Sequence, residues 1–399
     1  MIENCGIHSY ITGKMQIGSG AAGCGCSEKK ILNINKLRRT DMAVKKIRVG
    51  IWGLGRAGLD MHCPELASHS DKFKIVAGCD VLQERLDELK RKYPGAKGYL
   101  NAEEFLADPS IDLIAVATPS VYHVDYDIRA LEAGKYVFAE KPVALTAAGL
   151  KKLEKAAKKY PGKLFCRQNR RFESAFNHVR EIIGSGILGE VYEIKLCRHG
   201  YNFRDDWQTL QKNGGGQLNN WGPHLIDHAL QLMEAPVKDV WSDLKQIAAR
   251  GDCEDHLKAV FRGENGRVID VEISGGVAIG SPYYAVYGTR GALICEDEKE
   301  IKLKYLKPDF KWPDTPARNE TPSRTAPWFA ANQPDFIQET IKVNPANGAT
   351  MNDIYGHIYN TIRKGIAFPV KPEEAFEVVR WTEQIKKQNP QFCKAKIKE

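Results

Sequence analysis

Between residues 45 and 166, short runs of consecutive apolar residues alternate with longer stretches whose apolar positions recur every three or four residues. Runs at 47–52, 73–79, 111–117, 136–139 and 163–166 have the length and continuity of strands buried on both faces. The stretches at 57–67, 82–93, 124–133 and 146–160 carry helical periodicity. Such alternation predicts the α/β class, with a doubly wound parallel sheet. Beyond about residue 190 the pattern changes. Strand-like runs at 190–199, 240–244, 256–261, 268–274, 283–288 and 292–295 follow one another, with Gly263-Glu264-Asn265-Gly266 as a hairpin-like turn. They predict a C-terminal α+β domain with a mostly antiparallel, open sheet. Helices are expected at 353–364 and 373–389. The predicted organisation is a disordered extension over 1–43, a first domain over 44–166 and a second over 167–399.

A chain of 399 residues is long enough for two such cores. Its 43% hydrophobic and 27% charged content is that of an ordinary globular protein. No apolar run reaches the ~20 residues that span a bilayer, so no membrane partner is expected. The net charge of +8 is spread along helical faces, as at Lys151, Lys152, Lys155, Lys158 and Lys159, and in the tail at 394–398. Without a concentrated basic patch, no nucleic-acid partner is expected. The ten cysteines lack zinc-site spacing and are expected as reduced thiols in a cytoplasmic protein. Residues 1–43 are rich in Gly, Ser, Asn and Cys, and Met42 stands just before the first strand as an alternative start. Ala21-Ala22-Gly23-Cys24 resembles the small-residue box before a lipidated cysteine, but the stretch at 11–18 is too polar for an export signal.

The first strand runs into Gly53-Leu54-Gly55-Arg56-Ala57-Gly58, a Gly-x-Gly-x-x-Gly turn placed where a helix begins. In that context the glycines admit a tight turn, a close backbone approach to a pyrophosphate and close helix–strand packing. Gly53, Leu54, Gly55, Arg56 and Ala57 are therefore candidate cofactor-binding residues. Asp80 closes the second strand, where a carboxylate accepts the ribose hydroxyls of NAD. Arg85 nearby can neutralise a 2′-phosphate, which leaves NADP open beside NAD. Thr118 and Pro119 lie at the carboxyl end of their strand, and His123 and Gln168 are placed to reach the same cofactor.

Glu140-Lys141-Pro142 ends the next strand at the same ligand-bearing edge. Oxidising an alcohol requires an acceptor for its proton and a fixed donor or cation for the developing alkoxide. Lys141 suits both roles once its pKa is depressed. Further along, Gly214-Gly215-Gly216 precede a helical stretch carrying Asn220, His224, Asp227 and His228. Asn220 and His224 share one face, and Asp227 is spaced to sit beside His224. Arg170, Arg171, Arg198, His199, Asp205, Asp206 and Trp207 form a polar and aromatic group suited to a hydroxylated ligand. His228 is expected to be structural, and no catalytic metal is expected from this helix alone.

In this order the motifs resemble the family of glucose–fructose oxidoreductase, inositol dehydrogenase and MocA. The resemblance spans roughly 45–390 and includes Ala117-Thr118-Pro119, Ile362-Arg363-Lys364-Gly365 and Pro372-Glu373-Glu374-Ala375. It implies a Rossmann domain followed by an open sheet that often serves as a homo-oligomer interface. It also implies NAD(P)-dependent oxidation or reduction of sugars, polyols or related small molecules. His224 stands at the family's usual acid/base histidine, whereas Asn220 replaces a common aspartate. Since asparagine takes no proton, Lys141 is expected to carry more of the transfer, with His224 assisting. Expected catalytic residues are Lys141 and His224. Expected cofactor contacts add Glu140 and Lys141, and expected substrate contacts are Arg171, Arg198, Asn220 and His224. Redox-assisted glycoside cleavage and a non-catalytic nicotinamide or sugar sensor use the same residues and stay as alternatives.

Overall fold

The computed structural model describes residues 45–312, 314, 316, 319, 334–344, 351–397 and 399. The expected extension over 1–43 and the start at Met42 lie outside the described residues. Residues Lys46–Glu399 form one compact unit.

Among the described residues the first sheet contains β1 (Ile47–Trp52), β2 (Phe73–Cys79), β3 (Lys97–Tyr99), β4 (Leu113–Val116), β5 (Tyr136–Ala139) and β6 (Leu164–Cys166). Their order is β3-β2-β1-β4-β5-β6, and every pairing is parallel. Chain order reverses between β1 and β4, which opens a crevice at their carboxyl ends. The register sets Trp52 beside Val116, so Gly53 and Ala117 leave the sheet side by side. The apolar strand residues are almost fully buried, as periodicity alone requires of a strand covered on both faces.

Helices α1 (Cys63–Ser68), α2 (Gln83–Lys92), α3 (Ala102–Ala107), α4 (His123–Glu132) and α5 (Ala147–Lys159) follow successive strands. A π-helical turn, Gly58–His62, leads into α1. The Thr146 hydroxyl caps α5 by accepting from the Gly149 N–H at 2.9 Å. The first sheet is not closed by its own segment alone. Ile354, Tyr355, Ile358 and Phe376, from the end of the chain, pack into the same core.

The second sheet contains β7 (Val191–His199), β8 (Val237–Lys245), β9 (His256–Gly263), β10 (Val268–Ser274), β11 (Tyr284–Gly288), β12 (Gly291–Cys295), β13 (Glu300–Leu306) and β14 (Phe336–Lys342). Its order is β14-β13-β12-β11-β7-β10-β9-β8. Pairings are antiparallel except for β10 with β7. One sheet face packs against α6 (Ser174–Gly184), α8 (Gly222–Met233) and α10 (Pro372–Gln388), which follows α9 (Ile354–Lys364). A four-residue turn of helix, α7 (Gln217–Asn220), precedes α8. Both expected fold classes are thus present. Unread in the sequence were β3, α3, α6, β13 and β14. β13 alternates until its last residue but carries Lys302 and Lys304 on its outer face, and β14 is an edge strand of alternating exposed and half-buried residues, so neither gives a strong apolar run.

Candidate active site

The glycine turn is shaped by close backbone contacts. Gly53 has φ +94°, and a Cβ on Gly58 would stand 2.0 Å from the Gly53 carbonyl oxygen. Gly55 instead faces open space, with Arg85 as its nearest neighbour at 3.8 Å. A phosphate can therefore approach the backbone at Gly55, Arg56 and Ala57. Asp80 accepts from the Leu54 N–H at 2.7 Å and the Leu82 N–H at 3.0 Å, and pairs with Arg85 at 3.2 Å. This fixes the carboxylate at the strand end where a ribose is expected. The hydroxyl of Thr118 and the amide oxygen of Gln168 are buried without a protein partner. Two orphaned polar groups after the carboxyl ends of β4 and β6, together with an open glycine cradle after β1, fit a bound dinucleotide.

Three of the expected cofactor contacts have polar groups that face protein partners. Leu54 turns into the core, and its N–H is spent on Asp80. The Glu140 carboxylate accepts from Arg167 at 2.9 Å and the Lys141 N–H at 3.0 Å, and lies 3.2 Å from His62. Burial opposes its charge, but Arg167, His62 and Lys141 outweigh that and hold it well below the usual carboxylate range. His123 has Nδ1 2.8 Å from the Pro142 carbonyl and Nε2 2.9 Å from the Thr118 carbonyl. The buried ring is thus wedged between the ends of β4 and β5, with both nitrogens facing backbone carbonyls.

Lys141 emerges at the end of β5, before a cis bond to Pro142. Its ammonium donates to the Asn220 backbone carbonyl at 2.9 Å and to Asn220 Oδ1 at 3.1 Å. The parallel sheet and the segment leading into α8 therefore meet at this amine. Burial pushes its pKa down to about 8; Glu140 opposes the fall, while Arg167, Arg170 and Arg56 add to it. His224 lies in the first turn of α8, buried, with Nδ1 lacking a protein partner. Burial, then the Lys141 and Arg170 charges, hold it well below the usual histidine range, so it is neutral near pH 7.

The expected placement of Asp227 beside His224 is not what forms. Asp227 receives Arg171 at 2.7 Å, and Arg171 also reaches Glu374. Arg198 is likewise enclosed, donating to Glu298 at 2.6 Å and Tyr284 at 3.1 Å. Both arginines had been expected to bind substrate; their forks are instead occupied by protein groups that burial makes obligatory partners. His228 stacks on Phe176 at 3.8 Å and bonds to the Arg170 carbonyl at 3.0 Å, as a structural residue does. Arg170 covers the Trp221 ring at 4.1 Å. Sequence reading missed the buried set behind Lys141: Arg167, Glu65, His62 and Tyr355. Nothing local marks it, because its members come from three separate segments. Among the described residues no three His, Cys, Asp or Glu side chains converge as a metal site, and no helix is long and apolar enough to cross a membrane.

Residues 47–167 match the family described as "Oxidoreductase family, NAD-binding Rossmann fold", and residues 176–294 match the "GFO/IDH/MocA C-terminal domain". The chain belongs to the Gfo/Idh/MocA family. This Gfo/Idh/MocA member is thus an NAD(P)-dependent oxidoreductase. It is 27% identical over 344 residues to scyllo-inositol 2-dehydrogenase (NADP(+)) of Bacillus subtilis, covering 84% of this chain and 92% of that one. It is also 27% identical to D-glucoside 3-dehydrogenase of Escherichia coli, over 59% of this chain and 72% of that one. Among solved structures, an NAD-binding protein from Listeria innocua superposes with a TM-score of 0.71 at 28% identity, covering 87% of this chain and 95% of that one.

Proposed function

We propose that the protein oxidises, or in reverse restores, a secondary CH–OH group of a sugar, polyol or glycoside. The observation that carries this reading is the grip of Asn220, from the second half of the chain, on the depressed-pKa amine of Lys141. Gly55, Arg56 and Ala57 would cradle the dinucleotide phosphates, Asp80 the ribose, and Thr118 and Gln168 would lend their unpaired groups to the same ligand. Bound NAD(P)⁺ supplies the acceptor for the hydride leaving the substrate carbon.

The chain's own residues handle the oxygen. In its neutral form Lys141 takes the hydroxyl proton, and in its charged form it stabilises the oxygen as the carbonyl forms. The neutral imidazole of His224, with Nδ1 unpaired, holds the reacting hydroxyl or passes its proton on. Both oxygens of Asn220 are spent on Lys141, which leaves its amide N–H groups to orient a neighbouring hydroxyl. Substrates named for the relatives, an inositol and a glucoside, belong to the chemical class that such an array of neutral donors and acceptors suits.

Two outcomes check these roles. For alcohol oxidation, kcat/KM should rise with pH and level off above about 8, where the Lys141 amine is neutral. For ketone reduction it should fall across the same range, since the charged amine is then the proton donor. A pH–rate profile in both directions measures this. Asp80→Ala should lower the preference for NAD over NADP by about tenfold, or ~1.4 kcal/mol, because Arg85 is freed to meet a 2′-phosphate. The ratio of kcat/KM values for the two cofactors reads it directly.

The same reading puts a second copy of the chain on the outer face of the second sheet. There Trp241 is 58% exposed, beside the half-buried Val260 of the adjacent strand. A sedimentation mass that is a multiple of 44.7 kDa checks it. It also places the enzyme in the cytoplasm, with its buried cysteines reduced.

A further inference from the structure

Glu254 is 5% exposed and takes no part in the chemistry above. Its carboxylate accepts from the Leu218 N–H at 2.8 Å, and its own carbonyl accepts from the Gln217 N–H at 3.2 Å. These are the first two N–H groups of α7, so one distant residue caps the whole turn. The fit is close. Gly216 has φ +97°, and a Cβ there would stand 2.3 Å from Glu254 Oε1. The third glycine of Gly214-Gly215-Gly216 therefore makes room for this carboxylate. At the other end of α7 stands Asn220, whose two oxygens hold Lys141.

We propose that Glu254 is a positioning residue, holding α7 so that Asn220 keeps its grip on the Lys141 ammonium. The proposal rests on Lys141 being the acid/base group of the reaction described above. Behind α7 lies a cavity of about 370 Å³, lined by Glu254, Leu218, Asn219, Leu145 and Lys386 among others. Leu218 anchors α7 in the second core, and the cap fixes the N-terminal end of the turn beside that space. Burial raises the Glu254 carboxyl to about 7, although the Leu218 N–H and Lys386 favour its charge. A buried acid of this kind is a poor way to gain stability, since an apolar residue of similar size often serves better. Its value lies in fixing the geometry of the turn it caps.

The test is a titration of the Lys141 side chain in the whole protein, by the ¹³Cε signal of labelled lysine, assigned with Lys141→Arg. Steady-state turnover is measured beside it. In Glu254→Ala the acceptors on Lys141 are loosened, which disfavours the charged amine. Its midpoint should fall by about half a pH unit or more, and kcat by about tenfold, with KM for the nicotinamide unchanged. Glu254→Gln keeps an oxygen for the Leu218 N–H and should restore both values. If Glu254→Ala does not fold, Glu254→Asp, one methylene too short to reach, should show the same fall. A midpoint in Glu254→Ala or Glu254→Asp equal to wild type overturns the proposal. Wild-type protein that turns over no polyol, sugar or glycoside would overturn the proposed function instead, while the titration still decides the role of Glu254.

Discussion

Lys141→Ala is expected to lower turnover by about 10³–10⁴-fold, the upper range for loss of a positioned acid/base group. NAD(P) affinity should stay within about twofold. The asymmetry follows from where the side chain goes. Its amine is engaged by the two Asn220 oxygens and lies near His224, whereas the phosphate cradle is built from the backbone at 55–57. The variant leaves both Asn220 oxygens without their donor and removes an amine whose pKa of about 8 lets it both take up and release a proton near neutral pH. Lys141→Arg should fare little better, since a guanidinium stays charged at any working pH and accepts no proton. Stopped-flow single turnover, with cofactor binding followed by fluorescence, separates the two effects. Activity within tenfold of wild type in Lys141→Ala would remove Lys141 from the chemistry.

Arg167→Ala should cost about 3–5 kcal/mol of stability. Arg167 is 2% exposed and bridges Glu140, at 2.9 Å, to Glu65. Without it Glu140 keeps His62, one N–H and the nearby Lys141 charge, and a buried carboxylate stripped of its main counter-charge is strongly unfavourable. That loss is a large share of the 5–15 kcal/mol that typically separates folded from unfolded chains. Urea unfolding should show a lower midpoint with an unchanged slope. A loss under about 1 kcal/mol would mean that Glu140 takes up a proton or reorients without penalty. Because Glu140 abuts Lys141, the acid limb of the pH–rate profile should move in the same variant.

The elements that carry the chemistry were legible because they combine a local signal with a forced location. The run ending at Cys79 had to be a buried strand, and Asp80 had to sit at its carboxyl end. The same logic put Lys141 at the end of β5 and Asn220 and His224 one turn apart. What could not be read were the contacts that satisfy buried charge. Arg171 and Arg198 looked free for substrate because their partners, Asp227, Glu374, Glu298 and Tyr284, lie up to about two hundred residues away in sequence. His123 was expected near the nicotinamide from its position after β4, and its burial between two backbone carbonyls could not be read from sequence. Glu254 had no motif at all, and its partner is a backbone N–H. Segments such as β13 and β14 were missed for a different reason: on an open sheet, charged outer positions dilute the apolar run that marks a strand.

The most direct test of a shared site for dinucleotide, Lys141 and a CH–OH substrate is to incubate the pure protein with NAD or NADP and a panel of sugars, polyols and glycosides, following nicotinamide absorbance and carbon products together. The account predicts reduced nicotinamide in equal amount to a new carbonyl compound for at least one member of the panel. Glycoside cleavage with no net reduced cofactor, or cofactor binding with no turnover of any compound, would contradict it.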